Sequence, residues 1–268
     1  VDFVQSVILG AIQGVTEFFP ISSTAHLVLL PWFFSWKDEG LAFNVALHMG
    51  SLIAIIYYFH RDWVRIITEF LRCLSRLSFS GNPDGRMGLY LIIATIPGGL
   101  AGIFFEGQAS GIFRNPLYIA FSLSFFGVLL YASDKYSKKS KSTEEMNLLD
   151  CVIIGISQAF AIVPGVSRSG ITITGAMFRG YKRDQAAKFS FMLAAPLIAG
   201  AGVFESRHLE LSSALSLPFV AGIIVSAVFA FLAIKYLLWF VRHRSYTVFV
   251  VYRLVLAVII VSLYLYKN

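Results

Sequence analysis

The stretch Gln13-Gly14-Val15-Thr16-Glu17-Phe18-Phe19-Pro20-Ile21-Ser22-Ser23-Thr24-Ala25-His26 sets an amide, a carboxylate, several hydroxyls and an imidazole inside apolar sequence. Polar groups withdrawn from water cost free energy unless they find partners, so such a cluster marks a functional site. Gln13 and Glu17 are four apart, share one helix face and can act on one ligand. A carboxylate next to an anion calls for a cation between them. Glu17 therefore reads as a divalent-metal ligand or a proton carrier. The plainer alternative is a carboxylate satisfied by hydroxyls and backbone at a helix junction. Ser22, Ser23 and Thr24 stand where a second helix would begin, and its N-terminal N–H groups and dipole favour an anion. Simple capping would need one hydroxyl rather than three. His26 follows Ser23 by three residues, a spacing that lets the imidazole deprotonate that hydroxyl or protonate a leaving oxygen.

A second polar island, Pro164-Gly165-Val166-Ser167-Arg168-Ser169-Gly170-Ile171-Thr172, interrupts the other half of the chain. The Arg168 guanidinium matches phosphate oxygens bidentately, with Ser167, Ser169 and Thr172 extending the set of polar groups. Gly165 and Gly170 permit close backbone approach and unusual dihedrals. A buried Arg168–Glu17 pair that serves packing alone is the alternative, and a costly one to maintain. The expectation is that the two islands meet and hold a phosphate between them, with Arg168 the only basic residue near mid-membrane. His48 and Asn44 are read as structural rather than cavity-lining. Arg253 is placed near the inner end of the last span, also in a structural role.

The elements that must position these groups are set by composition. The 268 residues are 57% hydrophobic and 14% charged, with 25 Phe and a mean hydropathy of +0.73. A soluble domain would carry roughly 25% charge. Several runs reach the length of about 18 residues that spans a bilayer. The fold expected is an all-α polytopic membrane protein with six transmembrane helices and two re-entrant helical hairpins. The formal charge of +7 is spread over the ends of apolar runs, as topology signals are, which argues against nucleic acid. Cys73 and Cys151 have neither metal nor disulfide spacing. No cleavable signal peptide is expected, and the start at Val1 rather than Met points to a few preceding residues.

Read in order, residues 1–38 form a hairpin, with helices over 3–18 and 23–34 broken at Pro20; irregular backbone at depth is tolerated where it lines a cavity. Trp32 and Trp36 suit the interface. A span over 41–59 follows. From Arg61 to Phe79, Trp63, Ile66, Ile67, Phe70, Leu71 and Leu74 recur at helical spacing among arginines, predicting a helix lying in the interface. Spans over 88–105 and 116–133 complete a first repeat, 1–134. Residues 135–147, beginning with the basic run Lys135 to Lys141, are a cytoplasmic linker. The second repeat, 148–268, has a hairpin over 148–178 and spans over 186–204, 217–240 and 248–266. At an offset of 145 residues Gln13 falls on Gln158, Ser22 on Ser167 and Thr24 on Ser169. One hairpin plus three spans is an odd number of crossings, so the repeats have inverted topology. With the 60–87 loop inside, sixteen Lys and Arg lie on that side, against Lys37, Arg114, Arg207 and Lys267 on the other. That bias puts both termini outside.

At these residues the sequence resembles the undecaprenyl pyrophosphate phosphatase family of bacterial bacitracin-resistance phosphatases. Two motifs carry the resemblance: Glu/Gln-x-x-x-Glu followed by Phe-x-Pro-x-Ser-Ser-Thr-x-His, here Gln13 through His26, and Pro-Gly-x-Ser-Arg-Ser-x-x-Thr, here Pro164 through Thr172. Two departures are Ala25, where Gly commonly precedes the motif His, and Gln13, where other members have Glu. The resemblance implies hydrolysis of a C55 polyprenyl diphosphate to the monophosphate and inorganic phosphate, recycling the carrier of envelope polymers. It places the activity on the outer face of the bacterial cytoplasmic membrane. Glu17, His26 and Arg168 match residues regarded as catalytic, Ser23 matches a proposed nucleophile, and a divalent metal (Mg2+ or Ca2+) at Glu17 is the cofactor. Gln13, Ser22, Thr24, Gly165, Ser167, Ser169 and Thr172 are expected around the substrate. The partners expected are the polyprenyl diphosphate and membrane lipid, with a homodimer as the one protein partner. The competing class is a secondary transporter or flippase for an anionic substrate, which also uses broken helices around a midplane site. Transport alone has no need of a Ser-x-x-His pair beside the anion.

Overall fold

The computed structural model describes residues 2–37, 40–206 and 215–267. Among these residues eleven α-helices run in order: α1 Phe3–Phe18, α2 Ser23–Phe34, α3 Gly40–Tyr58, α4 His60–Ser75, α5 Pro83–Ser110, α6 Pro116–Tyr136, α7 Leu148–Ala159, α8 Arg168–Phe178, α9 Arg183–Glu205, α10 Leu217–His243 and α11 Thr247–Lys267. Among the described residues six helices are long and apolar enough to cross a membrane: α3, α5 as far as Phe105, α6, α9, α10 and α11. The remaining apolar helices, α1, α2 and α7, are too short to span alone. The chain is an all-α, multi-pass membrane protein. Arg207, counted above among the outer charges, lies outside the described residues.

The order of elements recurs. Each half starts with a short helix, a break and a second short helix, followed by a long helix. Local chemistry sets the ends. Asp2 caps α1 by accepting from the Gln5 amide, and Asn147 with Asp150 forms a reciprocal capping box on α7. At the two breaks Ser22 (φ 75°) and Ser167 (φ 70°) take the positive-φ backbone that β-carbon-bearing residues avoid. Ser22 Oγ accepts from the Ala25 amide and Ser167 Oγ from the Gly170 amide, so both start their helices the same way.

Packing crosses the halves. α1 lies along α10 and α7 along α5. Small residues allow this approach: a Cβ on Gly10 would sit 2.5 Å from the Gly222 carbonyl oxygen, and one on Gly155 2.9 Å from Ala94 Cα. Close backbone contact through small residues is how helices associate in lipid, where the hydrophobic effect between them is absent. The amphipathic α4 buries Ile66 and Cys73 against the bundle and leaves Ile67, Leu71 and Leu74 exposed, as expected of an interfacial helix. The linker is tied down rather than loose, since Lys141 bridges to Tyr181 and Thr143 Oγ1 donates to Gln185.

Candidate active site

The two breaks meet. The Gly165 amide donates to Ser22 Oγ at 3.0 Å, and Ser169 Oγ donates to the Phe19 carbonyl at 3.3 Å. Gly165 is required here twice over: its φ is +95°, and a Cβ would lie 2.7 Å from the Ile119 carbonyl oxygen. The junction places the C-terminal end of α1 opposite the N-terminal end of α8, so Glu17 faces Arg168.

Glu17 is the hub. Its Oε1 accepts from Arg168 Nη2 at 2.7 Å. Its Oε2 accepts from Gln13 Nε2 at 2.8 Å and from Ser23 Oγ at 2.6 Å, and lies 3.3 Å from His48 Nε2. Arg168 is held from its other side by the Ser190 carbonyl on α9, 2.8 Å from Nη1. Thr172 Oγ1 meets Ser190 Oγ at 2.7 Å, so Thr172 braces the Arg168 seat. The Arg168–Glu17 pair entertained above as packing is thus present. It is, however, joined at Glu17 by three further polar side chains, those of Gln13, Ser23 and His48, which packing alone does not require. The site is nearly sealed: the Glu17 side chain is 4% exposed and Arg168 11%, while His48 at 20% marks the open side.

Four placements differ from the sequence reading. Ser23 turns its hydroxyl to Glu17, while His26 is engaged elsewhere: Nδ1 is 2.7 Å from the Ser22 carbonyl and Nε2 2.7 Å from Tyr252 Oη. At the first turn of α2 Ser23 still looks back toward α1, whereas one turn on the His26 ring faces α11 and stacks on Tyr252. Thr24 is exposed and joins no part of the cluster. His48 is no bland core histidine but reaches Glu17, with Nδ1 pinned 2.7 Å from the Asn44 carbonyl. Finally Arg253 is fully buried at the level of both breaks rather than near an end. It donates to the carbonyls of Leu123 (2.9 Å), Pro20 (3.2 Å), Gly165 (2.8 Å), Val166 (3.2 Å) and Ser122 (3.4 Å). Arg168 is therefore not the only basic residue at this depth. Ser22 and Ser167 act on the backbone of the junction, and Ser167 Oγ and Ser169 Oγ are 3.3 Å apart.

Similarity to known proteins establishes the family. The model of the bacitracin resistance protein BacA family matches residues 6–259. The chain belongs to the BacA family. The undecaprenyl-diphosphatase of Moorella thermoacetica is 48% identical over 260 residues, covering 97% of each chain. Those of Pelotomaculum thermopropionicum and Desulforudis audaxviator are 44% and 42% identical, each over at least 96% of both chains. The match to this BacA-family chain includes both breaks and every residue of the Glu17 hub.

The divalent metal expected from the resemblance can be tested against the donor set. Among the described residues no three His, Cys, Asp or Glu side chains come together to enclose an ion. Yet Gln13 is fully buried and its Oε1 has no hydrogen-bond partner. An orphaned amide oxygen beside a carboxylate suits a hard cation that takes its remaining ligands from phosphate, as Mg2+ sites commonly do. The residues fit.

Proposed function

We propose that this protein hydrolyses undecaprenyl diphosphate to undecaprenyl phosphate and inorganic phosphate, and through that reaction confers bacitracin resistance. The observation that carries the reading is the convergence of Ser23, Glu17 and Arg168 at one junction of two helix breaks inside an apolar bundle. A hydroxyl hydrogen-bonded to a carboxylate beside a guanidinium is a nucleophile, a base and an anion anchor in mutual reach. Arg168 and the N-terminal end of α8 bind the diphosphate oxygens. Ser23 Oγ, its proton directed at Glu17, attacks the terminal phosphorus. The Oγ–P bond forms, the bridging P–O bond breaks, and the polyprenyl phosphate leaves. Water then cleaves the phosphoserine and restores Ser23. His26 exchanges Tyr252 for substrate and serves as the acid–base group for the bridging oxygen. Glu17 and Gln13 would hold a divalent cation, which when bound neutralises charge on the diphosphate.

An apolar cavity of about 380 Å³ lies between α3, α4, α5 and α9, lined by Leu52, Trp63, Leu91 and Ala195 among others. Leu52 is one helical turn from His48 on the same face, which supports a path for the polyprenyl tail from the site sideways toward lipid. The charge bias supports an orientation with the linker inside and both termini outside; the bacterial cytoplasmic membrane, with the site served from its outer face, is taken from the family resemblance. The test is phosphate release in detergent from undecaprenyl diphosphate by wild type and Ser23→Ala. Retention of substantial turnover in the variant would replace Ser23 by water as the nucleophile. Absence of turnover in folded wild type would remove the phosphatase reading.

A further inference from the structure

We infer that α4 is a binding site for anionic phospholipid, with one headgroup seated on Arg61 and Arg65 and a second on Arg72 and Arg76. It is independent of the reaction at the Glu17 junction. At about 100° per residue these four arginines fall within an arc of about 60° on the helix. Val64, Ile67, Leu71 and Leu74, all exposed, fall within another arc of about 80°. Ile66 and Cys73, the residues of α4 that the bundle buries, occupy a third. The three arcs stand roughly a third of a turn apart. A helix on a soluble protein needs two faces, one apolar and inward, one polar and outward. A third face, apolar but outward, has a use where lipid tails lie beside the helix, and the basic face then meets the headgroups.

The fold puts α4 at that boundary. It joins the ends of two spans, α3 and α5, and runs antiparallel to the start of α5, with Cys73 beside Gly85 and Phe70 beside Gly88. Arg65 is paired with Asp62 and Asp84 at 3.1 and 2.9 Å, and Arg72 with Glu69 at 2.7 Å. Arg61 and Arg76 are exposed and have no carboxylate partner among the described residues. Each free arginine therefore stands one turn, about 6 Å along the axis, from a tethered one. Two guanidinium groups can close that separation on one phosphate diester. The two pairs are about 16 Å apart along the axis, too far for one headgroup, so they seat two lipids. The adjoining apolar arc selects a diacyl lipid over a free phosphate ion, because it gives the tails a surface to lie on.

The experiment titrates the full chain in detergent with phosphatidylglycerol or phosphatidylcholine of matched acyl chains and reads bound lipid by native mass spectrometry. Wild type should take up two phosphatidylglycerol molecules ahead of phosphatidylcholine, and more weakly as ionic strength rises. Arg61→Gln should raise the Kd of one of them about fivefold and Arg76→Gln that of the other, the effect of one arginine beside an anionic headgroup. The double variant should approach the phosphatidylcholine values. Lys235→Gln with Arg244→Gln removes two exposed cations elsewhere, on α10 and just after it. That protein should keep both Kd values within about twofold of wild type. Equal uptake of the two lipids by wild type would overturn the assignment, as would an Arg61→Gln/Arg76→Gln protein that still binds phosphatidylglycerol like wild type. An equal loss in the Lys235→Gln/Arg244→Gln protein would overturn it too, making diffuse surface charge the cause.

Discussion

Arg253 offers the sharpest test of how the site is held. Its guanidinium is fully buried and faces five backbone carbonyls, of which Pro20 belongs to the first break and Gly165 and Val166 to the second. Glu17 arrives from the first break and Arg168 from the second, so Arg253 sets the distance between them without touching either. Arg253→Met keeps the bulk and strips every donor. Each buried acceptor left unpaired costs about 1–3 kcal/mol, and counting only the two carbonyls of the second break, Gly165 and Val166, the loss is about 2–6 kcal/mol. That variant should lose most of its folded yield. Arg253→Lys is the informative one. A single ammonium retains the charge but is a point donor, and cannot span carbonyls on both breaks as the planar fork does. It should fold, elute as wild type on size exclusion, and turn over about 10²-fold more slowly, the penalty typical of a 1 Å misplacement. Detergent-solubilised phosphate release, with folded fraction followed by intrinsic fluorescence, reads both. An Arg253→Lys enzyme within about threefold of wild type would refute the argument that this residue spaces the two breaks.

Three further outcomes are expected. Ser23→Ala should lower phosphate release by at least about 10²-fold and abolish any acid-stable phosphoserine trapped by rapid quench; turnover near wild type would remove the nucleophile. Tyr252→Phe removes the hydroxyl 2.7 Å from His26 Nε2 and keeps the stacked ring; kcat should fall about 10-fold and its pH profile shift, with KM little changed, and an unaltered profile would show that Tyr252 only packs. Gly14→Leu forces a side chain into the Ser226 carbonyl on α10; the protein should fail to accumulate in membranes, since overpacking at a helix contact costs about 1–3 kcal/mol or more, and normal accumulation would contradict the close α1–α10 packing.

Much of the fold was legible because helix breakers are local. The limits read for the first two helices, 3–18 and 23–34, coincide with α1 and α2, since Pro20 and the hydroxyl run stop and restart a helix regardless of tertiary context. The equivalence of Ser22 and Ser167 was visible as spacing, and both turn out to carry the same positive-φ cap. What escaped was anything contributed by a distant helix. His48 stands in an apolar span with only Asn44 at helical spacing, and Glu17, which it meets, belongs to another helix. Arg253 was misplaced in depth because a span's residue numbers do not reveal which neighbours' carbonyls it meets. The pairing of Ser23 with Glu17 rather than His26 depends on the backbone turn at Ser22, which side-chain spacing alone does not encode.

The central claim is that Glu17, Ser23 and Arg168 form one hydrolytic site. The measurement that tests it most directly is inorganic phosphate release from undecaprenyl diphosphate by purified protein, with and without EDTA, beside Glu17→Ala. The account predicts release that EDTA suppresses and the substitution abolishes while the protein stays folded. Folded wild-type protein that binds the lipid diphosphate but releases no phosphate would contradict it, and would recast the same residues as the anion seat of a transporter.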